Sequence, residues 1–208
     1  MVQAACSSID YATMKKIVEE RAPMNQALLV IDAQQALIDG DAGEPGVGNK
    51  EILLQKINAV IEKAVQENVN IVFVRDTSVA GGEGPGFEVH PAIRRPEGAA
   101  FFKKSATSAF YHTSLLDYLK ERAIEHLVIA GCQTEYCIDT AVRMATVNGF
   151  DVTLVGDAHG TADTPVLSAE QIVKHHNQTL NGYDNDDHFS LVRNSDEALF
   201  QPIHERYR

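Results

Sequence analysis

Short, unbroken apolar runs separated by amphipathic stretches dictate the architecture of this chain. Ala27-Leu-Leu-Val-Ile31 contains no polar residue, and Asn70 to Arg75, His126 to Ala130 and Asp151 to Val155 repeat the pattern. A strand that is apolar on both faces must be covered on both faces. Between these runs the spacing changes from continuous to helical. Ile52, Leu53, Ile57, Val60, Ile61 and Val65 recur as one face of a helix over 50–67. Further helices are expected over 114–123, 135–148 and 168–181, a third short strand at 99–102 and a last strand at 188–193. Strands alternating with helices predict an α/β fold with a mostly parallel central sheet. An N-terminal helix over 10–21, capped at Asp10 and closed by Pro23, precedes the first strand. We therefore divide the chain into an N-terminal helical extension, 1–26, and one domain, 27–208.

Charge removes whole classes of function. Eighteen Lys and Arg against 29 Asp and Glu give a net charge of −11, the wrong sign for a nucleic-acid or anionic-membrane partner. No apolar run approaches the roughly 20 residues that span a bilayer. The N-terminus lacks the basic start and apolar core of a signal peptide, so a cytoplasmic setting is expected. Three cysteines, Cys6, Cys132 and Cys137, are too few and odd in number for a disulfide scaffold. The glycine-rich segment Gly81-Gly-Glu-Gly-Pro-Gly86 matches no phosphate loop and is read as a flexible connection.

In open α/β sheets ligands gather beyond the carboxyl ends of strands. Asp32 closes the first strand, Lys103 or Lys104 follows the third, and Cys137 opens the helix after the fourth. A helix start and a nearby ammonium both favour a thiolate, and a carboxylate in reach can accept a thiol proton. Each residue alone has a blander reading: a strand-end turn, a solvated lysine, a core thiol. Their equivalent places in successive βα units raise the case for a site.

Three segments then carry a resemblance. Leu28-Leu-Val-Ile-Asp-Ala-Gln34, Lys104-Ser-Ala-Thr-Ser-Ala-Phe110 and Ala130-Gly-Cys-Gln-Thr-Glu-Tyr-Cys-Ile-Asp-Thr-Ala141 resemble the signature segments of the isochorismatase-like cysteine hydrolases, and Gly149 to Ala158 resembles that family's next strand. The resemblance implies a three-layer α/β/α sandwich and an Asp-Lys-Cys triad. Asp32 would be the general base, Lys104 rather than Lys103 the lysine, and Cys137 the nucleophile of an acyl-enzyme. It also implies a cis peptide between Cys132 and Gln133, aiming the backbone N–H groups of Gln133 and Cys137 at an oxyanion. Gln34 and Tyr136 are candidate substrate contacts, and a homo-oligomer is expected.

Nicotinamidases of this family carry an Asp-x-His metal motif with a later histidine. Here Asp76 is followed by Thr77 and Ser78, and His90 alone cannot hold a divalent ion. No metal or cofactor is therefore expected, although Thr134-Glu-Tyr-Cys137 matches the nicotinamidase form of the nucleophile motif. The expected activity is metal-independent hydrolysis of a small amide, carbamoyl or ureido C–N bond. Two alternatives stand beside it: a nicotinamidase-like amidase with an altered metal site, and a non-catalytic binding or redox protein on the same fold. His159 is read as a pocket-mouth or helix-capping residue. His175 and His176 are read as one structural and one exposed residue, and His188 with Asn185 to Asp187 as a solvated turn.

Overall fold

The computed structural model describes residues 25–200 apart from 42 and 44. The expected N-terminal helix and Cys6 lie outside the described residues. In chain order the elements are β1 (Gln26–Ile31), α1 (Gln35–Asp39), α2 (Lys50–Gln66), β2 (Asn70–Asp76), α3 (Gly84–Phe87), β3 (Ala100–Lys104), α4 (Leu115–Glu121), β4 (His126–Cys132), α5 (Asp139–Val147), β5 (Asp151–Gly160), α6 (Ala169–Leu180), β6 (Asp184–Asn185) and β7 (His188–Arg193). A single π-helical turn, Thr134–Ile138, leads into α5.

Seven strands form one sheet in the order β3-β2-β1-β4-β5-β7-β6. All pairs are parallel except the terminal β6–β7 hairpin. Side chains alternate across a strand, and the two faces of β1 show why it had to be apolar throughout. Leu28 and Val30 join a core with Leu53, Ile57, Val60 and Ile61 of α2. Ala27, Leu29 and Ile31 face the other way, into a core with Leu115 and Leu119 of α4 and Ala141 and Val142 of α5. Helices thus cover both faces, making three layers. Burying each such Leu, Ile or Val contributes roughly 1.5–3 kcal/mol.

Two segments depart from the sequence reading. The glycine-rich connection at 81–86 is not featureless: a 3-10 turn, Val79–Gly82, and α3 organise it. Of the run read as a solvated turn, Asp186 and Asp187 do form an exposed turn, whereas Asn185 and His188 are paired strand residues of the β6–β7 hairpin, with His188 Nδ1 3.3 Å from Asp151 Oδ1. Hairpin pairing satisfies the backbone groups of Asn185 and His188 on either side of that turn.

β1 pairs with β2 on one side and β4 on the other, and the sheet grows outward in both directions from there. That makes the β1/β4 boundary a topological switch point, where the connections diverge and leave a crevice at the strand ends. Gly131 closes this boundary tightly. Its φ is +125°, and a Cβ there would stand 1.9 Å from the Ile31 carbonyl oxygen. Only glycine lets β4 approach the last residue of β1 so closely.

Candidate active site

Four consecutive strands in space deliver one polar side chain each to the crevice. Asp32 follows β1 in a positive-φ turn, Asp76 ends β2, Lys104 ends β3, and Cys137 stands in the π-turn after β4. Register brings the middle pair together, because Asp76 lies directly beside Lys104 on neighbouring strands. The Lys104 side chain is fully buried. Its Nζ lies 2.8 Å from Asp32 Oδ2, donates to Asp76 Oδ2, and lies 3.3 Å from Cys137 Sγ. The contact with Asp32 is an ion pair without the alignment of a hydrogen bond, and neither Asp32 oxygen receives a directed one.

Burial and charge set the protonation states. Burial pushes the Asp32 carboxyl up to about 6, outweighing the Lys104 ammonium and the Cys137 contact that lower it. Burial also pushes the Cys137 thiol up to about 12, helped by the Asp32 carboxylate and opposed by Lys104. Desolvation and a neighbouring carboxylate outweigh the helix start, so Cys137 rests as a thiol beside a carboxylate placed to accept its proton. At Asp76 burial acts upward, but hydrogen bonds from Lys104 and Ser78 win and hold that carboxyl below its ordinary value. Lys104 stays charged: burial would lower it, but the Asp32 carboxylate and the hydrogen bond to Asp76 hold it above its ordinary value.

Asp32, Asp76 and Cys137, joined by the buried Lys104, floor a cavity of about 650 Å³ whose walls include Leu37, Ser78, Val79, Gln133 and Tyr136. Gln133 and Cys137 both reach it, and the Cys132–Gln133 peptide is cis. Tyr136 lines it with 56% of its surface exposed. Gln34 does not line it. Its buried amide donates to the carbonyls of Asp76 and Phe87 at 3.1 and 2.8 Å and accepts from Asp76 N–H at 2.8 Å. The structure gives Gln34 the role of a clamp fixing the end of β2 and thus Asp76.

The positions considered for a metal are arranged differently from a metal site. Ser78 donates through both N–H and Oγ, at 2.8 and 2.7 Å, to Asp76 Oδ1. His90 accepts from Ala92 N–H and lies 3.5 Å from Asp39, and it is not gathered with Asp76. Among the described residues the group with metal-ligand proximity is Asp32, Asp76 and Cys137, with ligand atoms within 4.8 Å of one another. The Lys104 ammonium contacts all three and is itself the cation of that cluster.

Two participants escaped the sequence reading. Asp76 was visible only as half of a missing metal motif, and its strand-end position is the signal that could have placed it. His159 is neither at the mouth nor a cap; it is buried in the extended end of β5. Asn177 Nδ2 donates to the Gly156 carbonyl at 2.9 Å, which turns Asn177 Oδ1 toward His159 Nε2 at 2.8 Å. Nε2 therefore carries the proton, and Nδ1 accepts from Thr134 Oγ1 at 2.9 Å. Burial, partly offset by Asn177, lowers the imidazole to about 4 and keeps it neutral. His159 so anchors Thr134, the first residue of the π-turn that carries Cys137. Cys132 is fully buried with its thiol pushed above its ordinary value, and is inert. His175 is exposed and His176 bonds back to the Ile172 carbonyl at 2.8 Å.

The isochorismatase domain model matches residues 26–189, every element from β1 into β7. The chain belongs to the isochorismatase family. An isochorismatase family protein of known crystal structure superposes with a TM-score of 0.73 at 31% identity, over 83% of this chain and 99% of that one. A streptothricin hydrolase of Streptomyces noursei is 28% identical over 67% of this chain and 56% of its own length. A probable inactive nicotinamidase of Arabidopsis thaliana is 31% identical over 72% of this chain and 87% of its own. An isochorismatase-family hydrolase fold thus surrounds the crevice. No helix among the described residues is long and apolar enough to cross a membrane.

Proposed function

We propose that this isochorismatase-family protein hydrolyses a C–N bond of a small molecule without a metal, through an acyl-enzyme on Cys137. The observation that carries the reading is the buried ammonium of Lys104 joining Asp32, Asp76 and Cys137 at the floor of the pocket. Asp32 takes the Cys137 proton as the sulfur attacks the carbonyl carbon. The backbone N–H groups of Gln133 and Cys137 receive the oxyanion, an interaction whose single donors are worth roughly 3–4 kcal/mol of barrier. The tetrahedral species then collapses, the C–N bond breaks, and the proton held on Asp32 passes to the leaving nitrogen. Water, deprotonated by Asp32, adds to the thioester, and the acid leaves with the sulfur protonated again. Lys104 keeps the cluster's charge balanced throughout, and Asp76 holds the ammonium from the far side. Relatives named streptothricin hydrolase support a hydrolytic reading.

The test is ammonia or amine release from a panel of small amides, ureas and carbamoyl compounds. Turnover should vanish in Cys137→Ala and fall steeply in Asp32→Asn; full turnover in both would overturn the mechanism. The similarity to a probable inactive nicotinamidase favours a second reading, a non-catalytic binding protein. Iodoacetamide separates the two: a hydrolase alkylates selectively at Cys137, whereas equally sluggish thiols mark an inert fold. We also propose a homo-oligomer, a state suited to covering exposed apolar side chains such as Val166 (86% exposed) and Leu167 (41%). Sedimentation as a 22.8 kDa monomer would refute it.

A further inference from the structure

The pocket over Cys137 does not end at Tyr136, an observation whose use rests on the reading of this pocket as the place where Cys137 works. A second lobe of about 280 Å³ adjoins it and shares Pro45, Gln133 and Tyr136 with the first. Tyr136 stands on the same π-turn as Cys137, so a molecule with its carbonyl at the sulfur can extend past that ring into the second lobe. The far wall is made by Glu135, from the same turn, and by residues 161–164, which follow β5. Two of its four polar side chains are engaged in folding the wall itself. Asp163 Oδ1 accepts from Ala169 N–H at 2.7 Å, while Thr164 Oγ1 donates to the Leu167 carbonyl at 3.0 Å and accepts from Leu167 N–H at 2.9 Å. The other two differ. Thr161 is 1% exposed and its carbonyl is pinned by Gly48 N–H at 2.9 Å, yet its Oγ1 has no hydrogen-bond partner among the described residues. Glu135 Oε2 is buried and equally unpartnered. Buried polar atoms are nearly always paired, by protein, water or ligand. Two left over in the wall of one lobe are the mark of a surface that receives a polar group.

We propose that this second lobe is a specificity site for a terminal NH2 group of the substrate, of carboxamide, ureido or amine type, with Glu135 and Thr161 as its acceptors. The donor character follows from the two atoms: a carboxylate oxygen only accepts, and a hydroxyl oxygen accepts beside its own O–H. A substrate ending instead in a bare carbonyl or a methyl group leaves Glu135 Oε2 unpaired, which is how a polar wall rejects a near-isostere.

Chloroacetamides that label Cys137 report on the lobe without any turnover. Each forms a thioether between the Cys137 sulfur and the reagent's CH2 carbon and expels chloride, the thiol proton passing to Asp32. Two neutral tails are compared on the amide nitrogen, one ending in CONH2 and the other in its isostere COCH3, each across a series of two to five methylenes. Labelling of the full chain is assigned to Cys137 by peptide mass spectrometry, and each rate is divided by that of 2-mercaptoethanol with the same reagent. At the best tail length the carboxamide should react at least about threefold faster than the ketone. That ratio, taken within one variant so that any change in the reactivity of Cys137 itself cancels, should fall by about half or more in Thr161→Val or in Glu135→Met. A ratio below about three at every tail length would overturn the proposal, and so would a ratio unmoved by both substitutions. If no amide in any panel is hydrolysed, the hydrolase reading fails while this rate ratio stands; a missing ratio defeats the second lobe even in an active hydrolase.

Discussion

Replacing Lys104 by methionine removes a buried ammonium while keeping an unbranched chain in its place. Asp32 and Asp76 then face each other with ligand atoms within 4.8 Å and no cation between them. At an effective dielectric of about 20, two unit charges at that distance repel by about 3.5 kcal/mol, in line with the roughly 3–5 kcal/mol lost when one partner of a buried pair is removed. Proton uptake relieves the repulsion. Asp32, held at about 6 in the intact cluster, should move to roughly 8 or above, since about 1.4 kcal/mol corresponds to tenfold in proton affinity. The sign follows from proton binding. A carboxyl whose folded pKa lies above its unfolded value binds more protons when folded, so stability declines as pH rises up to the folded pKa. In the parent that decline ends near pH 6; in Lys104→Met it continues to about 8 or beyond. Urea denaturation at pH 5.5 and 8.5 should therefore show a destabilisation that is larger at pH 8.5 by roughly 3 kcal/mol. Equal destabilisation at the two pH values would show that Lys104 acts by packing alone and would refute the electrostatic account of the cluster.

Three further outcomes follow from the same geometry. If Asp32 is the base, kcat/KM on any turned-over amide should fall as pH drops through about 6, where the carboxylate takes a proton; an acid limb at the ordinary carboxylate pKa near 4 would remove Asp32 from that role. Gly131→Ala should cost roughly 2–6 kcal/mol from the strained φ and the 1.9 Å approach to Ile31, read as a lowered urea midpoint, and an unchanged midpoint would show that β1 and β4 have room to part. His159→Phe strands the Thr134 hydroxyl and the Asn177 amide, each loss worth about 1–3 kcal/mol, and should lower the thermal midpoint by several degrees with slower alkylation of Cys137; a fully stable variant would deny the anchor.

Most of the fold could be read from residue order, and the reasons are physical. Continuous apolar runs such as 27–31 have only one use in a domain of this size, and the register of Leu28 and Leu29 into opposite cores explains them. Asp32, Lys104 and Cys137 could be placed because each follows or ends a strand, a position visible in one dimension. Asp76 has the same position, but its partner is chosen by cross-strand register with Lys104, which no local pattern records. Gln34 lies within a signature segment, yet only the tertiary fold shows its amide turned onto Asp76 and Phe87 rather than into the cavity. His159 escaped because β5 runs five residues past its apolar run, pairing beyond a register shift with Gly131 and Cys132. The resting state of Cys137 was illegible for a different reason. A helix start and a lysine are visible in sequence, whereas the burial that outweighs them exists only after folding.

The central claim, that Cys137 attacks a carbonyl and carries its acyl group, is tested most directly by acid-quenching the protein during turnover of an amide and weighing the Cys137 peptide. The account predicts a mass increase equal to the acyl group, confined to that peptide, appearing within the first turnover and absent from Cys137→Ser. Steady turnover with an unmodified Cys137 peptide at every quench time, undiminished in Cys137→Ala, would contradict it.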